Sequence, residues 1–60
     1  MTKEQRILAA TKSYGVRAQK VLTKLAMGMT KGQTEGVIVG SRAFTVEHRG
    51  ETLDIHMVWL

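Results

Sequence analysis

Apolar residues recur along the first half of the chain at helical spacing. Ile7, Leu8, Thr11 and Tyr14 fall on one stripe, and after Gly15 the period resumes through Ala18, Val21, Leu22, Leu25, Ala26 and Met29. Intervals of three and one trace a face about two residues wide on a helix of 3.6 residues per turn. Thr2, followed three residues later by Gln5, predicts a capping box in which each residue satisfies an orphan backbone donor of the first turn. Helices are expected over 3–13 and 17–27, broken at Tyr14-Gly15-Val16. The competing arrangement is one continuous helix carrying Gly15 at a cost of about 1 kcal/mol. Gly28 is expected to end the second helix in the left-handed conformation.

Beyond residue 34 the period changes to two. Gly40-Ser41 suits a two-residue type II′ turn, with glycine at the first central position, and Arg49-Gly50 is read as a second tight turn. Counting back from these loops sets Val39 opposite Arg42, Val37 opposite Phe44, Val46 opposite Leu53, Phe44 opposite Ile55 and Arg42 opposite Met57. An antiparallel three-stranded meander is expected over 35–39, 42–48 and 51–59. Alternation collects Val37, Val39, Phe44, Val46, Leu53, Ile55 and Met57 on the side that packs on the helices. The opposite side takes Thr45, Glu47, Thr52, Asp54 and His56, together with Ile38, Ala43 and Val58. The fold class is α+β, two N-terminal helices on a C-terminal sheet. No proline, repeat or low-complexity tract divides residues 1–60, which form one domain.

The outward cluster of Ile38, Ala43 and Val58 and the apolar ending Val58-Trp59-Leu60 fit poorly with a monomer. A chain of 60 residues buries only about 60% of the surface it exposes when unfolded. It has no cysteine, so disulfides and thiolate metal sites are excluded, and self-association is the remaining way to enlarge the core. Trp59 and Leu60 either close the small core or dock on another copy; in the second case Ile38, Ala43, Val58, Trp59 and Leu60 are the expected interface, with a second copy or with a protein target. No apolar run approaches the roughly 18 residues of a membrane span, and the first residues lack a signal-peptide pattern. A soluble, cytoplasmic protein with no membrane partner is expected.

Charge divides the chain again. Lys3, Arg6, Lys12, Arg17, Lys20, Lys24 and Lys31 against Glu4 alone give residues 1–34 a net +6, whereas Arg42 and Arg49 against Glu35, Glu47, Glu51 and Asp54 give the rest −2. One face is thus expected to attract a polyanion. With Ala18, Val21, Leu22 and Leu25 turned inward, Arg17, Gln19, Lys20, Thr23 and Lys24 point outward, and Arg17, Lys20 and Lys24 align. Cations of this kind neutralise phosphates, and Arg and Gln read base edges in the major groove. Lys12 and Lys31 extend the basic surface, and Arg42 and Arg49 stand at hairpin turns that reach the backbone as a wing.

Residues Ala10 to Leu25 resemble a helix-turn-helix. Ala10 is the small residue that lets the second helix approach, Gly15 turns the chain between Tyr14 and Val16, and Val21 packs inward. Thr11 stands where alanine or glycine is preferred, and Lys24 where an inward apolar residue is expected, with Leu25 one place later. The resemblance implies that the second helix reads duplex DNA, with the sheet bracing it in place of a third helix.

Catalysis finds little support, and the chain is not expected to be an enzyme. Asp54, His56 and Thr45 sketch a carboxylate, imidazole and hydroxyl, but on an open sheet surface without a pocket. His48 and His56 are expected on different sides of the sheet, so no metal site is formed, and no cofactor is implied. Gly28, Gly32, Gly36 and Gly40 lack phosphate-loop spacing and read as a flexible connection. The expected function is a small basic regulator that reads duplex DNA through its second helix as a homodimer. The alternative is a protein-binding factor or inhibitor acting through the apolar sheet and C-terminal patch. In size the chain resembles regulators carried by phages and mobile elements.

Overall fold

The computed structural model describes residues 2–60. Thr2 is extended and caps α1 (Lys3–Thr11): the Gln5 N–H donates to its hydroxyl at 3.2 Å, and its own N–H donates to Gln5 Oε1 at 2.9 Å. A single 3-10 turn over Lys12–Tyr14 follows, and Gly15 (φ 90°, ψ 164°) redirects the chain into α2 (Val16–Met27). A β-carbon on Gly15 would meet nothing within 4 Å, so glycine is needed there for its positive φ and not for space. Two helices form, and the continuous-helix arrangement is excluded.

The end of α2 corrects one expectation. Gly28 is right-handed (φ −88°), not left-handed. Its N–H donates to the Leu25 carbonyl at 3.2 Å and the Met29 N–H to the Ala26 carbonyl at 3.1 Å, so the last turn tightens into three-residue bonds that need no positive φ. The Lys3 ammonium completes this end, donating to the Met29 carbonyl at 3.0 Å and the Met27 carbonyl at 3.4 Å, where the negative pole of α2 favours a cation.

Strands β1 (Thr34–Val39), β2 (Arg42–His48) and β3 (Leu53–Trp59) form an antiparallel sheet in that order. The first hairpin follows the counted register, with Val39 opposite Arg42 and Val37 opposite Phe44. Gly40 alone of its turn pair takes a positive φ (64°), as a type II′ turn requires. The second hairpin differs. Its tight turn is Gly50-Glu51, glycine first, with Gly50 at φ 79° and the Arg49 N–H donating to the Thr52 carbonyl at 2.9 Å. An Arg49-Gly50 turn would have forced arginine to a positive φ, which side chains resist. Every partner on β3 consequently moves by two: Val46 faces Ile55, Phe44 faces Met57, Arg42 faces Trp59, and the strand opens at Leu53 instead of residue 51. An even slip leaves each side chain on its expected face.

The helices cover one side of the sheet. Ala18, Leu22, Met29, Val39, Phe44 and Val46 form the buried cluster, and Tyr14 packs edge-on to Phe44 at 5.1 Å. Ala10 of α1 lies beside Leu53 and Ile55 of β3, whereas Val21 and Leu25 of α2 lie beside Val37 of β1. Ile7 and Thr11 complete the buried set on α1. Among the described residues, no helix is long and apolar enough to cross a membrane.

Leu22 is wholly buried, so Leu22→Ala is expected to cost 2–5 kcal/mol, enough to unfold much of a domain this small. Val16 is 83% exposed, and Val16→Ala is expected to stay within about 0.5 kcal/mol of the parent. Urea denaturation followed by circular dichroism measures both.

Candidate nucleic-acid interface

The inward stripe of α2 is Ala18, Leu22 and Ala26, all buried, with Val21 and Leu25 partly covered beside it. That stripe turns Arg17, Lys20 and Lys24 to solvent along one side of the helix, and all three are exposed. No carboxylate lies within ion-pair distance of any of them among the described residues. The only ion pairs among the described residues join Arg49 to Glu47 at 3.2 Å and to Asp54 at 2.8 Å, on the sheet. None of the three is engaged in an ion pair among the described residues, although Lys24 shares the trough between α2 and β1 with Glu35.

The remaining predicted contacts divide. Gln19 is not free to read a base: its amide nitrogen donates to the Leu8 carbonyl at 2.8 Å, tying α2 to α1. Thr23 is partly covered, and its hydroxyl oxygen is buried without a hydrogen-bond partner. Both belong to a shallow trough of about 480 Å3 between the helices, lined also by Leu8, Val16, Lys20 and Lys24. Lys12 is exposed on the 3-10 turn, next to the end of the molecule where Arg42 meets Tyr14. Lys31 lies at the other end, its aliphatic stem 3.5 Å from where a β-carbon on Gly50 would stand. Arg17, Lys20 and Lys24 are brought together, and Lys12 and Lys31 flank them at opposite ends.

The two wing arginines are corrected. Arg42 Nη1 donates to the Tyr14 carbonyl at 2.9 Å, and its guanidinium stands 5.3 Å from the Phe44 ring centre and 5.8 Å from that of Trp59. It closes the last turn before Gly15 instead of reaching outward. Arg49 bridges Glu47 and Asp54, which the corrected register places directly opposite each other, so its charge relieves a like-charge pair.

Thr11, the odd residue in the helix-turn-helix resemblance, is accommodated within α1. It is buried, and its hydroxyl donates to the Ile7 carbonyl at 2.8 Å, so the polar group brings no unpaired donor to the helix contact. Lys24 stays outside because Leu25, one place later, takes the inward position. Leu8 and Val16 were missed as surface residues. Their apolar character fits the helical period, but Val16 opens α2 on the solvent side and Leu8 borders the trough.

The sheet's outward side carries the second candidate surface. Ile38, Ala43 and Val58 stand directly opposite one another across the three strands, one unbroken apolar row. Ile38 is 65% exposed, Val58 59%, Trp59 69% and Leu60 71%. Trp59 lies on the helix-facing side with Arg42, whereas the Leu60 N–H is held by the Ser41 carbonyl at 2.8 Å. Thr45 faces His56 and Asp54 is engaged by Arg49, so the carboxylate, imidazole and hydroxyl do not form a relay. His48 sits on the buried side, its Nδ1 accepting from the Gly50 N–H at 3.2 Å, while His56 is exposed on the other side. Comparison with known protein families, curated proteins and solved structures finds no match for this chain.

Thr23→Val removes the unpaired buried hydroxyl at nearly constant shape. It is expected to leave stability unchanged or raise it by up to about 1 kcal/mol, read from the urea midpoint. A loss larger than that would show that the hydroxyl is bonded in solution.

Proposed function

We propose that the protein binds nucleic acid, duplex DNA by preference, through the solvent side of α2, and acts as a small cytoplasmic regulator in the form of a homodimer. One observation carries this reading: Arg17, Lys20 and Lys24 stand exposed in line on α2, and none is engaged in an ion pair among the described residues. From Gln5 to Thr34 the chain holds six cations, Arg6, Lys12, Arg17, Lys20, Lys24 and Lys31, and no acidic residue. The acidic groups are concentrated in the sheet half, so the molecule presents a cationic layer on one side.

An α-helix fits the major groove, and cations along its exposed side meet phosphates on approach. Arg17, in the first turn of α2, is suited to a guanine edge, whereas Lys20 and Lys24 are suited to phosphates. Gln19 is held by Leu8, so base reading rests on fewer side chains than five outward residues would supply. Affinity in this reading is dominated by charge. A second reading, a protein-binding factor acting through the sheet, is favoured by the row Ile38, Ala43 and Val58.

Fluorescence anisotropy with a labelled duplex tests the first reading. Log affinity is expected to fall linearly with log salt, and Arg17→Ala or Lys20→Ala should each lower the slope by about 1 without moving the urea midpoint. No binding at low ionic strength would overturn the reading and leave the sheet surface as the functional one.

A further inference from the structure

β3 is an edge strand, and its ladder to β2 identifies which main-chain groups face away from the sheet. The Leu60 N–H donates to the Ser41 carbonyl and the Arg49 N–H to the Thr52 carbonyl, and both pairs continue the β2–β3 register. Hydrogen-bonded pairs alternate along an antiparallel ladder. Asp54, His56 and Val58 therefore direct their N–H and C=O groups at β2, and Leu53, Ile55, Met57 and Trp59 direct theirs outward. The side chains of those same four residues lie on the helix-facing side, where Leu53, Ile55 and Met57 are only half-buried and Trp59 is exposed. Unpaired backbone and uncovered apolar side chains thus coincide at four alternate positions.

Edge strands of monomers are usually blunted by proline, lysine or an inward-pointing charge. β3 has none of these. The other edge, β1, is protected: Glu35 faces Val46 and so sets a carboxylate on the inward side, and Gly36 adds no side chain. The helix beside the β3 edge presents Ala9 and Ala10, with Arg6 one turn earlier, beside Leu53.

We propose that β3 pairs antiparallel with β3 of a second copy about a two-fold axis at His56, giving a continuous six-stranded sheet. On the helix-facing side this sets Leu53 against the partner's Trp59 and Ile55 against the partner's Met57. All four outward-facing residues gain backbone partners. Moving the axis to Ile55 or Met57 leaves Trp59 or Leu53 without a partner inside the strand, so the strand is self-complementary at one register. On the other side Asp54 meets the partner's Val58, and no two carboxylates are opposed. Both helical layers fall on the same side of the joined sheet, so the two lines of Arg17, Lys20 and Lys24 face one way. This supplies the dimer that the nucleic-acid reading invokes, yet it is tested without nucleic acid, so either reading can fail alone.

Sedimentation equilibrium from micromolar to millimolar concentration provides the test, with far-ultraviolet circular dichroism as the check on folding. The unmodified chain is expected to dimerise. A synthetic chain N-methylated at the Met57 amide keeps every side chain and every bond to β2 but loses one outward donor, two per dimer. Its dimer dissociation constant is expected to rise about tenfold or more with the spectrum unchanged. Trp59→Thr, which removes the ring without setting a like charge opposite Arg42, is expected to weaken the dimer as well, whereas Ile38→Glu on the opposite side of the sheet should not. The proposal is overturned by a monomer at every concentration, by a dimer indifferent to both β3 changes, or by one that Ile38→Glu alone dissolves.

Discussion

α2 lies on the sheet through Ala18 and Leu22, which are buried in one cluster with Val39, Phe44 and Val46. A small residue one turn before the leucine lets the helix settle closely, and Leu22 fills the space that remains. This seam orients the molecule. It sets the rotation of α2 about its axis, and that rotation decides which residues meet solvent. Arg17, Lys20 and Lys24 are exposed as a line because the opposite side of the same helix has no other way to be dry.

A second constraint acts at the two ends of the helical layer, where cations are spent on backbone and not on ligands. Lys3 satisfies carbonyls at the end of α2, and Arg42 satisfies the Tyr14 carbonyl before Gly15. Helix ends leave unpaired carbonyls with partial negative charge, and a nearby cation that bonds them is withdrawn from the surface field. Arg49 is withdrawn in the same way by Glu47 and Asp54. Formal charge therefore overstates the cationic surface. The cations that remain without such partners among the described residues are Arg17, Lys20 and Lys24 on α2, together with Arg6, Lys12 and Lys31.

The sheet shows the opposite imbalance, with apolar residues where a monomer needs polar ones. The row Ile38, Ala43 and Val58 occupies one side, and the unprotected edge of β3 exposes Trp59 and half of Leu53, Ile55 and Met57 on the other. A core drawn from about 60 residues cannot cover both sides of three strands with two short helices. The helices cover the centre, and both edges are left partly open, with Val37 on β1 and Leu53, Ile55 and Met57 on β3 half-buried. The proposed nucleic-acid contact and the proposed pairing of copies thus draw on different layers.

Much of this was legible in the chain itself. Periods of 3.6 and 2 depend only on which residues avoid water, so the two helices, the three strands, the apolar sides and the capping box at Thr2 follow from local pattern. The second hairpin was legible too, since the glycine-first rule that places the turn at Gly40-Ser41 also selects Gly50-Glu51; the slip of two was invisible to the apolar pattern because an even shift conserves faces. Other features arose only in three dimensions. That Gln19 is consumed by the Leu8 carbonyl, Arg42 by Tyr14 and Arg49 by two carboxylates depends on groups brought close by folding, and no spacing along the chain records those distances. Sequence determines which residues turn away from water, because that preference belongs to each side chain; tertiary structure alone decided which of the remaining polar groups were still free, because that depends on their neighbours.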